Sequence, residues 1–207
     1  GPMSQLLWIW DDSVAVAPFD TGAAGRMLDA SGWKRRAAGT GRARNGRNLA
    51  IDILVPGTSP SRKRIAEVVQ QMWRAIGVNA SVTTVDFPVF QERLRQGKFD
   101  SYSGPWLDEP SARGLADQWT RAGWTALNYG HYSNPVFDTL LARAIRASEL
   151  PVARRAWREV LHTLNADAPA IFLYAPTNVA AASRRLEGVQ IDPYSWLSGV
   201  AGWRVRR

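Results

Sequence analysis

The segment from residue 62 to residue 110 constrains the fold most, because the spacing of its apolar residues changes in a definite order. Over residues 65–76, apolar side chains recur every three or four positions, which predicts one buried face of a helix. These side chains are Ile65, Val68, Val69, Met72, Trp73 and Ile76. Gly77 can end that helix in a left-handed conformation, and the β-branched run from Val78 to Asp86 predicts a strand.

A second helix and a second strand follow directly. Asp86 can cap a helix from Phe87 to Gln96, which Gly97 ends. Residues 99–102 predict the next strand, and this strand leads into a loop at residues 103–110. A helix between successive strands requires right-handed crossover connections, so this segment predicts an α/β fold with a largely parallel sheet.

The flanking segments continue the alternation of helices and strands. Residues 49–55 form an apolar run interrupted by Asp52, which is typical of a strand buried on both faces. Ser59 and Pro60 predict the start of the long helix. Further helices are predicted at 21–31, at 111–119 and from residues 134 and 151 onward, and further strands at 170–174 and 188–191. Together the segments predict an α/β lobe whose mostly parallel or mixed sheet is flanked by helices.

The chain is strongly basic, with 26 lysine and arginine residues against 18 aspartate and glutamate residues and a net charge of +8. Phosphate contacts use such residues, so nucleic acid is one candidate partner. The arginines, however, lie in separate clusters that share no helical face, and no motif of a nucleic-acid-binding module is present. Residues 35–48 combine arginines with glycines and predict an exposed loop. We expect a solvated basic surface and no specific nucleic acid. The alternative is a basic interaction module that binds nucleic acid or acidic partners.

Residues for enzyme chemistry are scarce. The chain has no cysteine, which excludes thiol nucleophiles and cysteine metal sites. No nucleophile, zinc or phosphate-loop motif accompanies His131 or His162, and we expect each imidazole to be packed or on the surface. Asp108 and Glu109 are adjacent, so an extended backbone would point them to opposite sides, which is unsuited to an acid and base pair. We therefore expect no catalytic residues, no metal, no cofactor and no enzymatic activity.

Several short patterns occur in a definite order between residues 15 and 190. They are Leu28-Asp29-Ala30-Ser31-Gly32-Trp33, Ile51 to Pro56, Phe90-Gln91-Glu92-Arg93-Leu94, Gly97-Lys98-Phe99-Asp100, Trp106, Asn128-Tyr129, Tyr132-Ser133-Asn134-Pro135 and Ala168-Pro169-Ala170-Ile171. The ordered set resembles the family 5 extracellular solute-binding proteins of the dipeptide/oligopeptide type, which feed ABC importers. The resemblance implies the C-terminal lobe of such a protein, in the domain III region, with a fold like that of type II periplasmic binding proteins.

The resemblance also implies a domain organisation. Residues 1–3 are expected to hold the remnant of a cleaved tag and the start of the chain, because Gly1 and Pro2 precede Met3. Residues 4–175 are expected to form a single α/β lobe. Residues 176–207 are expected to be the segment that returns to the other lobe in full-length members. The full-length parent is expected to be periplasmic or extracytoplasmic, although no signal peptide precedes the lobe here.

The function implied by the resemblance is half of a binding cleft for a peptide or another small solute. Two lobes close over the ligand, and an ABC permease recognises the closed form. In peptide-binding members the matching tryptophan is followed three residues later by an aspartate that holds the amino terminus of the ligand. Three residues after Trp106 stands Glu109, and Asp108 comes one residue earlier, so both are candidates. Tyr129 is expected to line the cleft. A core or lobe-interface role is the alternative for Trp106.

The absence of the N-terminal lobe has a further implication. Residues from about Ala175 to Arg207 are expected either to fold back onto this domain or to pair with a second copy of the chain, because strand edges and apolar surface made for a partner tend to find one.

Overall fold

The computed structural model describes residues 3–14, 17–36, 41–106, 111–177 and 179–206. Within these segments, no helix combines the length and the apolar character needed to cross a membrane. The chain forms two compact units. The sheet unit comprises Val16–Leu107 and Arg121–Ser133, and the helical unit comprises Gly1–Ala15, Asp108–Thr120 and Asn134–Arg207. A single lobe over residues 4–175 stays a prediction.

The elements alternate along the chain much as the residue patterns predict. In chain order they are α1 (Thr21–Ala30), β1 (Lys34–Arg35), β2 (Arg42–Arg44), β3 (Arg47–Asn48), β4 (Ala50–Pro56), α2 (Pro60–Ala75), β5 (Asn79–Val85), α3 (Phe87–Arg95), β6 (Ser101–Tyr102), α4 (Gly114–Trp119), a 3₁₀ helix (Arg121–Thr125), α5 (Pro135–Arg146), α6 (Leu150–Asp167), β7 (Leu186–Glu187), a second 3₁₀ helix (Val200–Gly202) and β8 (Arg204–Val205).

The parallel sheet of the sheet unit has β4 at its centre, with β5 and β6 on either side. Successive side chains of β4 point to opposite faces. Ile53 and Val55 pack with Ala66 of α2, whereas Leu54 packs with Phe90 and Leu94 of α3. Val55 is 0% exposed, and burying such a side chain stabilises the fold by about 1.5–3 kcal/mol. The prediction of an α/β fold with parallel strands is confirmed.

Capping of the helices in this unit is only partly as predicted. Asp20 caps α1 through a 2.8 Å hydrogen bond from the amide of Ala23. Ser59 and Asp86 stand at the N-cap positions of α2 and α3, but neither side chain accepts a capping hydrogen bond. Proline in the first turn of both helices removes one of the amides that would need a partner.

The prediction of a loop at residues 35–48 is wrong, although most of the described residues in this range are exposed as predicted. Strands β1, β2 and β3 form a small antiparallel sheet, and Arg42 at its centre is 3% exposed. The guanidinium of Arg42 donates to the carbonyl of Ile76 at 2.7 Å and to the carbonyl of Trp33 at 2.6 Å. It also donates to Oδ1 of Asp29 at 2.6 Å. A buried charge is tolerated when its donors are paired, and composition alone does not reveal those acceptors.

Two neighbouring arginines also donate to the carbonyl groups at helix C-termini. Arg35 donates to the carbonyl of Ala75 at 3.1 Å, at the end of α2. Arg44 donates to the carbonyl of Ser31 at 3.2 Å, at the C-cap of α1, and lies over the ring of Trp33. Cations are favourable at helix C-termini because the helix dipole is negative there. This arginine cluster is therefore part of the framework of the sheet unit.

The helical unit is built around α5 and α6, which pack against each other. Asn134 caps α5 by accepting from the amides of Val136 and Phe137, and its Nδ2 donates to Oδ2 of Asp167 at 2.6 Å. The N-terminal segment joins this unit through an ion pair between Asp11 and Arg158. The core side chains of the two helices are Phe137, Leu141, Ala144, Ala153, Ala156, Trp157, Val160, Leu161 and Leu164.

Two predicted strands are wrong. Residues 170–174 contain no strand, and Ile171, Leu173 and Tyr174 are 62%, 53% and 67% exposed. A strand needs a neighbour to accept its backbone hydrogen bonds, and β propensity alone does not supply one. The strand expected at 188–191 lies instead at Leu186–Glu187, where it pairs with β8.

Candidate functional site

The loop that carries Trp106 begins at the carboxyl edge of the parallel sheet. The register pairs Pro56 with Val85 and Leu54 with Tyr102, so three parallel strands end at this edge. The amide of Ser103 donates to the carbonyl of Leu54 at 3.1 Å, which continues the pairing one residue beyond β6. Ligand sites of α/β sheets occur at such edges. The prediction that the Trp106 loop follows a strand end is confirmed.

Tyr102 lies at the base of this loop within a cluster of aromatic rings. Its ring makes edge-to-face contacts with Phe90, Phe99 and Tyr129, at centroid distances of 6.2, 5.3 and 6.4 Å. Burial raises the pKa of Tyr102 to about 12, and the nearby Tyr129 adds to the shift. The phenol is therefore neutral at physiological pH, and its ring acts through packing rather than charge.

Gly104 allows the backbone of the loop to approach the ring of Tyr102 closely. A Cβ atom at position 104 would lie 2.9 Å from Cε2 and 3.2 Å from Cδ2 of that ring. Any larger residue would have to displace either the ring or the loop. The path of the chain toward Trp106 thus depends on the ring two residues before Gly104.

A second loop brings Tyr129 to the same aromatic cluster. The preceding residue, Asn128, is 2% exposed and exchanges two hydrogen bonds with the backbone of Tyr132, at 2.8 and 3.0 Å. Nε1 of Trp124 donates to the same carbonyl of Tyr132 at 3.0 Å. His131, at φ 51°, stacks on Trp124 at 4.8 Å. These contacts hold the loop in one conformation, which is what a preformed binding surface requires.

The structure places Tyr129 against Tyr102, the residue that precedes the Trp106 loop, and the roles of Trp106 and Tyr129 in ligand binding stay predictions. Tyr129 and Trp106 are both half-buried, and Tyr129 touches Tyr102 at the base of the Trp106 loop. Asp108 and Glu109 lie outside the described residues, so their roles stay predictions. Sequence reasoning missed Tyr102 and Gly104. The one sequence feature that could have pointed to these two residues is a glycine two positions after an aromatic residue.

The two histidines occupy the kinds of position expected of them. His131 makes a loop contact by stacking on Trp124, and His162 is exposed on α6. Within the part of the chain that the structure describes, no group of three or more histidine, aspartate or glutamate side chains is placed to hold a metal ion.

A groove of ≈ 610 Å³ lies on the helical unit, and neither Trp106 nor Tyr129 is among its lining residues. It is lined by residues of α5, by Ala147 at the C-cap of that helix and by Val152, and one of its lining side chains, Arg143, is paired with Glu159. The groove is open, and we place the candidate site at the sheet edge, where half-buried aromatic side chains lie on two loops.

Comparison with known proteins shows which family this chain resembles. Residues 1–125 match the model of the bacterial extracellular solute-binding proteins, family 5 (middle region). The chain is similar to the dipeptide-binding protein of Pseudomonas aeruginosa, with 24% identity over 93% of this chain and 35% of that protein. It is also similar to the oligopeptide-binding protein AppA of Bacillus subtilis, with 25% identity over 98% of this chain and 38% of that protein.

Solved structures show the same fold. The structure of AppA from Bacillus subtilis in complex with a nonapeptide superimposes with a TM-score of 0.87 and 23% identity, covering all of this chain and 42% of that one. NikZ from Campylobacter jejuni in complex with Ni(L-His) gives a TM-score of 0.75 and 22% identity, covering 88% of this chain and 37% of that one. The predicted fold, that of type II periplasmic binding proteins, is confirmed.

The chain spans somewhat more than a third of the length of the curated relatives that it matches. The family match covers more than half of the chain and includes the whole parallel sheet and the Trp106 loop. The predicted resemblance is confirmed, and the chain belongs to the bacterial extracellular solute-binding proteins, family 5.

Proposed function

We propose that this chain forms one wall of a ligand-binding cleft in a longer solute-binding protein, and that its role is binding rather than catalysis. The proposal rests on one observation. The Trp106 loop, through Gly104, and the Tyr129 loop, through its ring, both approach the ring of Tyr102 at the carboxyl edge of the sheet. Aromatic faces supply apolar contact area with few rotatable bonds, which suits the wall of a cleft.

The proposed ligand is a peptide or another small solute. Relatives of this chain carry the names dipeptide-binding and oligopeptide-binding protein, which supports a peptide. In this proposal Trp106 packs on the ligand, and Asp108 or Glu109 accepts hydrogen bonds from its amino terminus. Pro105 has no amide to donate, so backbone pairing with an extended peptide has to use neighbouring residues.

The proposed partners are the remaining lobe of the parent protein and an ABC permease that recognises the closed form, in a periplasmic or extracytoplasmic setting. The C-terminal segment of the chain supports the proposal of a further partner, because three of its apolar side chains are largely exposed. Val179 is 90% exposed, Trp196 63% and Val205 61%. Apolar surface of this kind is typical of an interface. We propose that the rest of the parent covers it, and that in the isolated chain it pairs with a second copy.

Sedimentation tests the pairing. A dimer that Trp196→Asp converts to a monomer would support it, with Met27→Asp on α1 as an exposed control in the other unit. A strict monomer whose residues 176–207 resist proteolysis would exclude it.

Binding is tested by NMR titration of the ¹⁵N-labelled chain with trialanine and with N-acetyl-trialanine. One wall alone presents about half of the contacts and no closure, so we expect a Kd far weaker than micromolar. Acetylation removes the charged amino terminus and should weaken binding by about tenfold or more. Asp108→Asn and Glu109→Gln then show which carboxylate is responsible.

Two results would contradict the proposal. The absence of any shift near Trp106 and Tyr129 at tens of millimolar trialanine would exclude a peptide-binding wall. Calorimetry that gave micromolar affinity or better would show a complete site, which is incompatible with half a cleft.

The alternative, a basic interaction module, is weakened by the contacts of the arginine cluster. Arg35, Arg42 and Arg44 each donate to backbone carbonyls of the sheet unit, so part of their hydrogen-bonding capacity is used internally. A salt titration of binding to duplex DNA tests it. Sequence-independent binding that disappears by physiological salt would indicate only a basic surface.

A further inference from the structure

We infer that Tyr102 is the positioning residue of the candidate site, and that it sets the places of the Trp106 loop and the Tyr129 loop together. The inference rests on the proposed function for its effect on ligand binding, but its structural part can be measured without any ligand.

Tyr102 is itself held firmly in place by its neighbours. It is the last residue of β6, paired with Leu54 of the central strand, and Leu54 is 1% exposed. Phe90 and Phe99 contact its ring edge-on, with interplanar angles of 70° and 83°. Rings packed in this way occupy one rotamer, because closely packed neighbours leave no space for another.

Each of the two loops approaches the ring of Tyr102 at a different point. The backbone of the first loop passes over Cδ2 and Cε2 of Tyr102 at Gly104, two residues before Trp106. The ring of Tyr129, from the second loop, meets Tyr102 at an interplanar angle of 78°. The two loops are separated by more than twenty residues of sequence and share this one ring, so a change in the ring displaces both.

We expect that the hydroxyl group of Tyr102 is not needed to position the two loops. Burial opposes ionisation of Tyr102, and the contacts with Gly104 and Tyr129 described above are made by ring atoms. Tyr102→Phe should therefore preserve the site. Tyr102→Leu keeps an apolar side chain but removes the flat surface that Gly104 and Tyr129 touch, so it should release both loops.

The experiment follows the indole N–H resonance of Trp106 and the ring resonances of Tyr129 in the unliganded chain. Trp106→Phe identifies the indole signal among the ten tryptophans. We expect Tyr102→Phe to leave these signals in place, and Tyr102→Leu and Gly104→Ala each to shift them. Trialanine binding should weaken by roughly fivefold in the two disruptive variants, since sites tolerate only small displacements of their contacts.

A double-mutant cycle separates positioning from simple loss of stability. Leucine leaves space where the tyrosine ring stood, so Gly104→Ala should have a smaller effect in the Tyr102→Leu background than in the wild type. Ile53→Ala is the matched control, because it removes core contacts on the opposite face of β4. It should lower stability without shifting Trp106 or Tyr129.

The inference is overturned if Tyr102→Leu lowers stability but leaves both signals unmoved, or if the effects of Tyr102→Leu and Gly104→Ala simply add. Those results stand apart from failure of the proposed function. A wild-type chain that bound no trialanine would refute the peptide-binding wall, whereas the resonances of the unliganded variants would still decide the role of Tyr102.

Discussion

Nη1 of Arg42 lies 2.6 Å from Oδ1 of Asp29 in an ion pair whose two side chains differ greatly in exposure. The arginine side chain is 2% exposed and the aspartate side chain 46% exposed. The same guanidinium donates hydrogen bonds to the carbonyls of Trp33 and Ile76. It therefore links strand β2 to the ends of α1 and α2. It therefore connects elements that are separated in sequence, and the stability of the sheet unit should depend on it.

Arg42→Ala should destabilise the chain by about 3 kcal/mol, because three acceptors lose their donor in a largely buried setting. Urea unfolding measures the change. Arg44→Ala is the control, since Arg44 is exposed and makes one such bond, and it should cost less than about 1 kcal/mol. Equal losses for the two variants would show that burial of Arg42 contributes nothing.

Gly77→Ala should be more damaging than Gly97→Ala, although both glycines have positive φ values, of 92° and 64°. At Gly97 a Cβ atom meets nothing within 4 Å, so the cost is backbone strain of about 1 kcal/mol. At Gly77 the Cβ atom would lie 2.9 Å from Cγ of Arg42, and we expect roughly 2 kcal/mol or more. Denaturant midpoints of the two variants test this. If the clash matters, Arg42→Ala should reduce the difference between them.

Acid should destabilise the helical unit partly through Asp11. Hydrogen bonds from Ser13 and Arg158 lower the pKa of Asp11 to about 2. The unfolded chain has the ordinary aspartate pKa of about 3.9, so the contribution of Asp11 is present above that pH and is lost as the pH falls toward about 2. In thermal unfolding from pH 5 to pH 2, Asp11→Asn should show a shallower decline than the wild type. An unchanged decline would contradict the assignment.

Asn128→Ala should loosen the Tyr129 loop, because the buried amide of Asn128 satisfies both backbone groups of Tyr132. We expect a loss of about 1–3 kcal/mol and faster hydrogen exchange at the amide of Tyr132. Asn134→Ala is the matched control in the helical unit, where the side chain caps α5. That variant should instead expose the amides of Val136 and Phe137. Protection of Tyr132 that survived Asn128→Ala would show that Trp124 alone holds the loop.

Much of the sheet unit was predictable from local spacing. The predicted strand at 49–55 lies at Ala50–Pro56, and the long helix predicted to start at Ser59 and Pro60 lies at Pro60–Ala75. Both depend on periodicity within one short segment, which burial on a sheet or helix face imposes directly. The site was predictable only in outline. The roles of Trp106 and Tyr129 stay predictions, and the contacts of Tyr102 with Gly104 and Tyr129 were not predicted, since the spacing of an aromatic residue and a glycine does not by itself show that they touch.

The amino-acid sequence by itself determined the order of helices and strands from β4 to β6 and the position of the Trp106 loop after the last of them. The tertiary structure decided that Arg42 is buried, that residues 170–174 form no strand, and that Tyr102 touches both candidate loops. The physical reason is the range of the interactions. Periodicity and capping act within a few residues, but a buried charge, a strand and a shared ring each need partners that only the folded chain brings near.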